Sequence, residues 1–126
     1  MEFKEYYIEN NEGKSNCVIR SLCKIYNKEY DTVYNELITI SKELNSNSYN
    51  DVEVFETYMK RNNTLPLDYG NNLIVKDLNL NNGSYIVFCY NKQDFYHMIP
   101  IIDNIVYDKD NRSLDLYTIK IYKKEK

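Results

Sequence analysis

The chain predicts an α+β fold, with N-terminal helices packed on a C-terminal antiparallel β-sheet. Between residues 16 and 61, apolar side chains recur at the three- and four-residue spacing of amphipathic helices. From residue 85 onward, short apolar or alternating runs are bounded by Asn, Asp and Gly, which is typical of strands joined by tight turns. Helices that precede strands, rather than alternating with them, indicate an α+β domain, and 126 residues suit a single domain over residues 1–126.

The first predicted helix follows Asn16, a residue type suited to the N-cap position. Arg20, Ser21 and Lys24 fall on one side of this helix, opposite a broad apolar face. The apolar face consists of Val18, Ile19, Leu22, Cys23, Ile25 and Tyr26. We therefore expect this helix to bury its apolar face and leave the three polar side chains on the other side.

Two more helices are predicted before residue 62. Asp31 is suited to cap the second, whose apolar positions have helical spacing up to residue 44. Asn50 or Asp51 can start the third. This helix should end near Arg61, because the following Asn-Asn pair and the proline at position 66 disfavour its continuation.

Four strands are predicted in the second half, over residues 85–90, 95–102, 105–107 and 116–122. The first is almost wholly apolar, as expected for a central strand. Asp103-Asn104 separates the second and third strands and is a credible two-residue hairpin turn.

Cys17 is the first candidate catalytic residue. At the first turn of a helix, its sulfur meets unsatisfied N–H groups and the positive end of the helix dipole, which favour a thiolate. The only histidine, His97, lies in a predicted strand, and Asp108 follows it. Together they supply the nucleophile, proton carrier and orienting carboxylate of a triad that attacks an acyl carbon. The backbone N–H of Cys17 and the side-chain amide of Asn11 are candidate donors to an oxyanion.

The predicted hairpin leaves two candidates for the third member of the triad. If residues 103–104 form the turn, His97 lies directly opposite Asp110, while Asp108 lies on the diagonal and on the same face. Both carboxylates are then within reach of the imidazole. Pro100 weakens this register: it lacks a backbone donor, which predicts an edge position or a bulge at this residue.

These residues resemble the papain-like cysteine peptidases. The resemblance is to small forms similar to bacteriocin-leader-processing peptidase domains and to short papain-fold proteins of phages and low-GC bacteria. It covers about residues 10–115. The segments that carry it are Asn-Cys-Val-Ile-Arg-Ser-Leu over residues 16–22, Tyr-Asp-Thr-Val-Tyr-Asn-Glu-Leu over 30–37, Gly-Ser-Tyr-Ile-Val over 83–87, His97, and Ile-Val-Tyr-Asp over 105–108.

The resemblance implies specific roles for four residues. It makes Cys17 the nucleophile, His97 the base and Asp108 the orienting carboxylate, and it places the oxyanion side chain near Asn11, where the family usually has Gln. Tyr96 stands where a Gly commonly precedes the histidine of the family. The implied activity is hydrolysis of a peptide or isopeptide bond in a peptide or protein substrate.

Composition limits the other functions. A net charge of −3 argues against nucleic acid as the main partner, because phosphate binding needs a basic surface. No apolar run approaches the roughly 20 residues of a membrane span, and the first residues lack the apolar segment of a signal peptide. Three cysteines, an odd number, suggest free thiols. We therefore expect a cytoplasmic monomer without a membrane partner.

Neither a metal nor another cofactor is expected. The spacing of the three cysteines and the histidine is not that of a zinc site, and the chain has no phosphate-binding glycine loop. Cys23 and Cys89 lie on apolar faces and are predicted core residues, and Cys17 and Cys23 are too far apart on one helix to form a disulfide.

Two alternatives to an enzyme remain. The chain is either a catalytically weak or inactive papain-fold module that captures a host or regulatory protein, or a small structural domain whose cysteine and histidine belong to the core. The position of Cys17 relative to His97 separates these hypotheses.

Overall fold

A computed structural model describes residues 1–8, 16–69 and 71–125, and in them the chain folds as an α+β domain with three helices and one six-stranded sheet. The helices are α1 (Cys17–Tyr26), α2 (Tyr30–Glu43) and α3 (Val52–Arg61). The strands are β1 (Glu2–Glu5), β2 (Thr64–Tyr69), β3 (Ser84–Tyr90), β4 (Tyr96–Ile102), β5 (Ile105–Asp108) and β6 (Tyr117–Lys124). Their order in the sheet is β1-β5-β4-β3-β6-β2.

The sheet is mixed: the four predicted C-terminal strands pair antiparallel, as expected, but the whole sheet is not antiparallel because an N-terminal strand joins it in parallel. β1 pairs with β5 in parallel, and β2 pairs with β6 antiparallel at the opposite edge. Neither edge strand was predicted. β1 is short and mostly exposed, and β2 contains Pro66 between the exposed Leu65 and Leu67. Strands of this kind lack the apolar alternation by which buried strands are recognised.

The hairpin of β4 and β5 has the predicted turn and register. Asp103 and Asn104 both have positive φ, 50° and 63°, as a type I′ turn requires. Ile102 pairs with Ile105, and Ile101 with Val106. β3 lies between β4 and β6, which confirms the predicted central strand.

Pro100 lies within the interior strand β4 and carries no bulge, but its position is a local edge, as one of the two predicted alternatives requires, because it has no partner on β5. It pairs with Ile86 of β3 without a register shift. The pairing of β4 with β5, however, ends at Ile101, directly before Pro100. In an antiparallel strand, alternate residues direct their N–H and C=O groups to the same neighbour. The donor that proline lacks is therefore the one that would continue the ladder to β5.

Two hydrophobic clusters cover the two faces of the sheet. On one face, Ile86, Met98 and Tyr122 pack with the three helices. On the other face, apolar residues of β3–β6 pack with Val75 and Leu116, which lie in or next to the short 3-10 helices Val75–Asp77 and Asn111–Asp115. The helices thus form a layer on one side of the sheet.

The helix α1 is buried around most of its circumference. Arg20 and Ser21, which were predicted to lie opposite the apolar face, are 6% and 1% exposed, so this second side of the helix is buried as well. Asn16 occupies the N-cap position, but its side chain makes no capping hydrogen bond. In α2, Glu29 and not Asp31 is the N-cap residue.

None of the helices in the described ranges is both long enough and apolar enough to span a membrane.

Candidate active site

Cys17 begins α1 and its sulfur is held against β4. The backbone N–H of Met98 donates a hydrogen bond to the sulfur, and the Met98 carbonyl accepts a hydrogen bond from Ser21 Oγ at 3.1 Å. Both backbone groups of Met98 lie on the side of β4 from which β5 is absent beyond Pro100. The end of the β4–β5 ladder therefore leaves room for the first turn of α1.

His97 lies between the thiol and a carboxylate. Its Nε2 is 2.6 Å from Asp108 Oδ2, and its ring also hydrogen-bonds the Cys17 side chain. Since Nε2 is engaged by Asp108, Nδ1 is the nitrogen available to the sulfur. The imidazole side chain is 13% exposed, and Cys17 is partly exposed. The structure thus brings together Cys17, His97 and Asp108, from a helix and two strands.

Asp108 accepts hydrogen bonds on both carboxylate oxygens. Oδ2 accepts from His97 and from the Ser113 hydroxyl. Oδ1 accepts from Arg20 Nη2 at 2.9 Å and from the backbone N–H of Lys109 at 2.8 Å. The side chain is only 5% exposed, so these donors replace the water that an ionised carboxylate would otherwise bind.

Asp110 does not contact the imidazole, although the strand register alone allowed it. Its carboxylate accepts hydrogen bonds from the Arg112 side chain and backbone, and it is 47% exposed. β4 and β5 no longer pair at this level, so Asp110 is not held opposite His97. The structure thus places the carboxylate of Asp108, and not that of Asp110, against the histidine.

The surroundings of Cys17 favour its ionised form. Burial opposes ionisation of the thiol, but the hydrogen bond and the positive charge of His97, the Met98 N–H and the charge of Arg20 lower its pKa below the ordinary value. The start of α1 adds the positive end of a helix dipole.

The pKa values of His97 and Asp108 move in opposite directions. Burial disfavours the imidazolium, but hydrogen bonds and charges of Asp108 and Cys17 raise the pKa of His97 to about 9. Burial also disfavours the carboxylate, but His97, Ser113 and the Lys109 N–H lower the pKa of Asp108 to about 2. A protonated imidazole beside an ionised Asp108 is therefore favoured near neutral pH, and on its other side lies a thiol whose pKa is lowered.

The other two cysteines are core residues, as predicted. Cys23 and Cys89 are buried and all three thiols are free. Burial raises the pKa of Cys23 to about 11 and raises that of Cys89 further. Cys17 is the one thiol of this chain whose pKa is lowered.

Aromatic rings and a cavity border the histidine. The Phe95 ring lies 5.5 Å from the imidazole, centroid to centroid, at an angle of 28°. An open cavity of about 380 Å³ adjoins His97 and is lined by Phe95, Asn91 and Leu116 among others. Tyr96 is 56% exposed and stacks on Phe88 and Tyr90. Because alternate residues of a strand face opposite sides, its ring points away from the imidazole.

Sequence reasoning missed Arg20, Ser113 and the Met98 N–H as parts of this site. A lone arginine between Val18, Ile19 and Leu22 was a usable signal, because a charge within an apolar helix segment is unusual unless it is paired. No comparable signal marks Ser113. Asn11, the predicted side-chain donor to an oxyanion, lies outside the described residues.

No family model matches the chain, and neither a curated protein nor a solved structure matches it significantly.

Proposed function

We propose that this protein is a papain-like cysteine peptidase, a thiol hydrolase that cleaves a peptide or isopeptide bond. The observation that carries the proposal is the hydrogen-bonded chain from Cys17 through His97 to Asp108, with the sulfur at the start of a helix. These parts are the ones that covalent catalysis by a thiol needs: a nucleophile, a base beside it, and a group that orients the base.

The first half-reaction forms an acyl-enzyme. The Cys17 thiolate attacks the carbonyl carbon, and the carbonyl oxygen becomes an oxyanion near the N–H groups at the start of α1. The His97 imidazolium then gives its proton to the leaving nitrogen as the bond between carbon and nitrogen breaks. This releases an amine and leaves a thioester on Cys17 and a neutral imidazole.

The second half-reaction restores the enzyme. Neutral His97 takes a proton from a water molecule, whose oxygen attacks the thioester carbon. The bond between carbon and sulfur breaks, a carboxylic acid leaves, and the thiolate–imidazolium pair is regenerated. Throughout, Asp108 holds Nε2–H and keeps Nδ1 directed at the sulfur.

The papain-like assignment is supported by the arrangement of the elements. The nucleophile begins a helix, the base lies on a later strand, and the carboxylate ends the next strand of the sheet. A helical layer against a sheet places Cys17 where the two meet. The same order of Cys, His and Asp underlies the resemblance in the sequence.

The test is to form the acyl-enzyme and observe its hydrolysis. Purified protein is incubated with p-nitrophenyl acetate, release of nitrophenolate is followed, and the acetylated residue is located by mass spectrometry. We expect acetylation of Cys17 and continued turnover, because the ester needs no substrate-specific binding. Cys17→Ala should show neither, and His97→Ala should lose turnover.

Cys23→Ala is the matched control, since it removes a buried thiol that does not contact His97. It should behave like the wild type. Acetylation of Cys17 at the rate of an ordinary thiol, unchanged by His97→Ala, would overturn the proposed enzyme. Capture of a protein without any acylation would instead favour the inactive binding module.

A further inference from the structure

Arg20 is the one described arginine or lysine that is buried. It is carried by α1, three residues after Cys17. Its Nη2 donates to Asp108 Oδ1 at 2.9 Å and its Nη1 donates to Asn16 Oδ1 at 3.1 Å. One guanidinium therefore joins the residue that precedes the nucleophile to the carboxylate that orients the base.

This bridge constrains the carboxylate in a specific way. Arg20 and the Lys109 N–H hold Oδ1, which leaves Oδ2 for His97 and Ser113. Rotation of the carboxylate about its Cβ–Cγ bond would break both Oδ1 bonds. Because guanidinium–carboxylate hydrogen bonds are short and directional, the plane of the carboxylate, and with it the imidazole, is held in place.

The bridge also connects elements that are distant in sequence. Asp108 ends β5, whose backbone pairs with β1 at this level but no longer with β4, so no backbone pairing joins it directly to the strand of His97. The contact with Arg20 ties this end of β5 to the first turn of α1 instead. The position of the carboxylate relative to the sulfur and the imidazole therefore depends on this side-chain contact as well as on the sheet.

We propose that Arg20 is a positioning residue of the site: through its two arms it orients Asp108 toward His97 and holds the Cys17 turn against both. The proposal rests on the proposed function for its catalytic meaning, but the positioning itself is a property of the protein without substrate. It can therefore be measured on the free enzyme.

Two measurements on the full chain test it. The first is the tautomer of neutral His97, read from its ¹⁵N chemical shifts in a Cys17→Ala background. Because the chain has one histidine, the assignment is unambiguous. The second is the rate of Cys17 alkylation by iodoacetamide as a function of pH. The variants are Arg20→Met, Arg20→Lys and Arg61→Met. Arg61 is the matched control, an exposed arginine paired with Glu43.

In the Cys17→Ala background, we expect chains with Arg20 intact, with or without Arg61→Met, to show a single Nε2–H tautomer. With Cys17 present, the wild type and Arg61→Met should show the same alkylation profile. In Arg20→Met, the carboxylate is free to rotate, so both tautomers should appear. Alkylation near pH 6 should fall about tenfold, which corresponds to one unit in the pKa of the thiol. Arg20→Lys supplies one charged donor group but not the two arms of a guanidinium. Its tautomer ratio and alkylation rate should therefore lie between those of the wild type and Arg20→Met.

A folded Arg20→Met variant that keeps the wild-type tautomer would overturn the proposal, even if it melts at a lower temperature, because lower stability alone indicates a structural role. Should Arg20→Met not fold, Arg20→Lys is judged by the same criterion. Wild-type alkylation that shows an ordinary thiol would count against the proposed enzyme, whereas the tautomer would still decide the role of Arg20.

Discussion

Asp108 and Asp110 have the same side chain and lie two positions apart, yet only one is placed to orient a base. Asp108 is buried and receives hydrogen bonds on both oxygens, including the one from His97. Asp110 is exposed and pairs with Arg112. Burial and the number of donors, rather than residue type, therefore decide which carboxylate holds the imidazole.

Replacing each aspartate by asparagine separates them. Asp108→Asn removes the charge that stabilises the imidazolium, so the pKa of His97 should fall from about 9 toward its ordinary value. Alkylation of Cys17 near pH 8 should fall, because an imidazole of ordinary pKa is mostly neutral at that pH and no longer stabilises the thiolate. Asp110→Asn should leave both quantities unchanged. Equal effects of the two substitutions would contradict the assignment of Asp108.

The three cysteines should differ sharply in reactivity. Cys17 is partly exposed with a lowered pKa, whereas Cys23 and Cys89 are buried with raised pKa values. Because the thiolate is the reactive form, native protein treated with iodoacetamide at pH 6 should carry the label at Cys17 alone. Protein unfolded in urea should be labelled at all three positions at higher pH. Peptide mass spectrometry reads the sites, and native labelling of Cys89 would contradict the structure.

At the scale of elements, the β4–β5 hairpin sets the site by where its pairing stops. The turn fixes the register of the first two residue pairs between the strands. Pro100 lacks the backbone N–H that the next pair would need. Beyond this point the backbone of Met98 has no partner on β5, and its N–H and C=O groups contact Cys17 and Ser21 instead. A proline in an interior strand is thus accommodated because a helix terminus replaces the missing strand.

The turn of this hairpin can be tested at Asp103. Its φ is positive, and Oδ1 accepts a hydrogen bond from the Gly83 N–H at 2.9 Å. Asp103→Ala loses the bond and is less tolerant of the left-handed backbone, so the free energy of unfolding should fall by about 1 kcal/mol or more. Asp103→Asn keeps an acceptor and tolerates positive φ, and should be close to the wild type. Urea unfolding measures both, and equal losses would show that the side-chain bond contributes nothing.

At the scale of the whole molecule, the site also contributes to stability. The buried pair of Arg20 and Asp108 joins α1 to β5 across 88 positions. Removing one partner of a buried pair leaves the other charge without compensation, at a cost of about 3–5 kcal/mol. The stability of the fold and the proposed function therefore depend on the same carboxylate.

The pH dependence of stability follows from the pKa of Asp108. This pKa is lowered to about 2 from its ordinary value of 3.8, so its contribution is present above about pH 4 and is lost as the pH falls toward 2. The loss should amount to about 2 kcal/mol. We expect the difference in unfolding free energy between the wild type and Asp108→Asn, measured in urea, to shrink over this range. A difference independent of pH would contradict the buried, ionised carboxylate.

The contribution of His97 to stability changes with pH in the opposite direction. Its pKa is raised from 6.5 to about 9, so its contribution is fully present below about pH 6.5 and is lost as the pH rises through 9. The two groups together place maximum stability between about pH 4 and pH 6.5. The window is compatible with a thiolate–imidazolium pair in the resting protein.

The sequence by itself determined the helices, the central strands, the hairpin turn and the candidates Cys17 and His97. These features depend on local patterns: apolar spacing, residues that tolerate positive φ, and the start of a helix. The edge strands β1 and β2 escaped detection because their stability comes from pairing with β5 and β6 and not from their own composition.

Strand spacing left Asp108 and Asp110 open and the resemblance favoured Asp108, but only the tertiary structure placed the Asp108 carboxylate against the imidazole and revealed Arg20 as its buried partner. Counting outward from the hairpin turn puts both carboxylates on the same face as His97, one directly opposite and one on the diagonal. Sequence spacing therefore allowed both to reach the imidazole. The choice depends on where pairing ends, and on a guanidinium brought from 88 positions away. Contacts of that range arise only when helix and sheet pack together, because burial then requires each charge to find a partner.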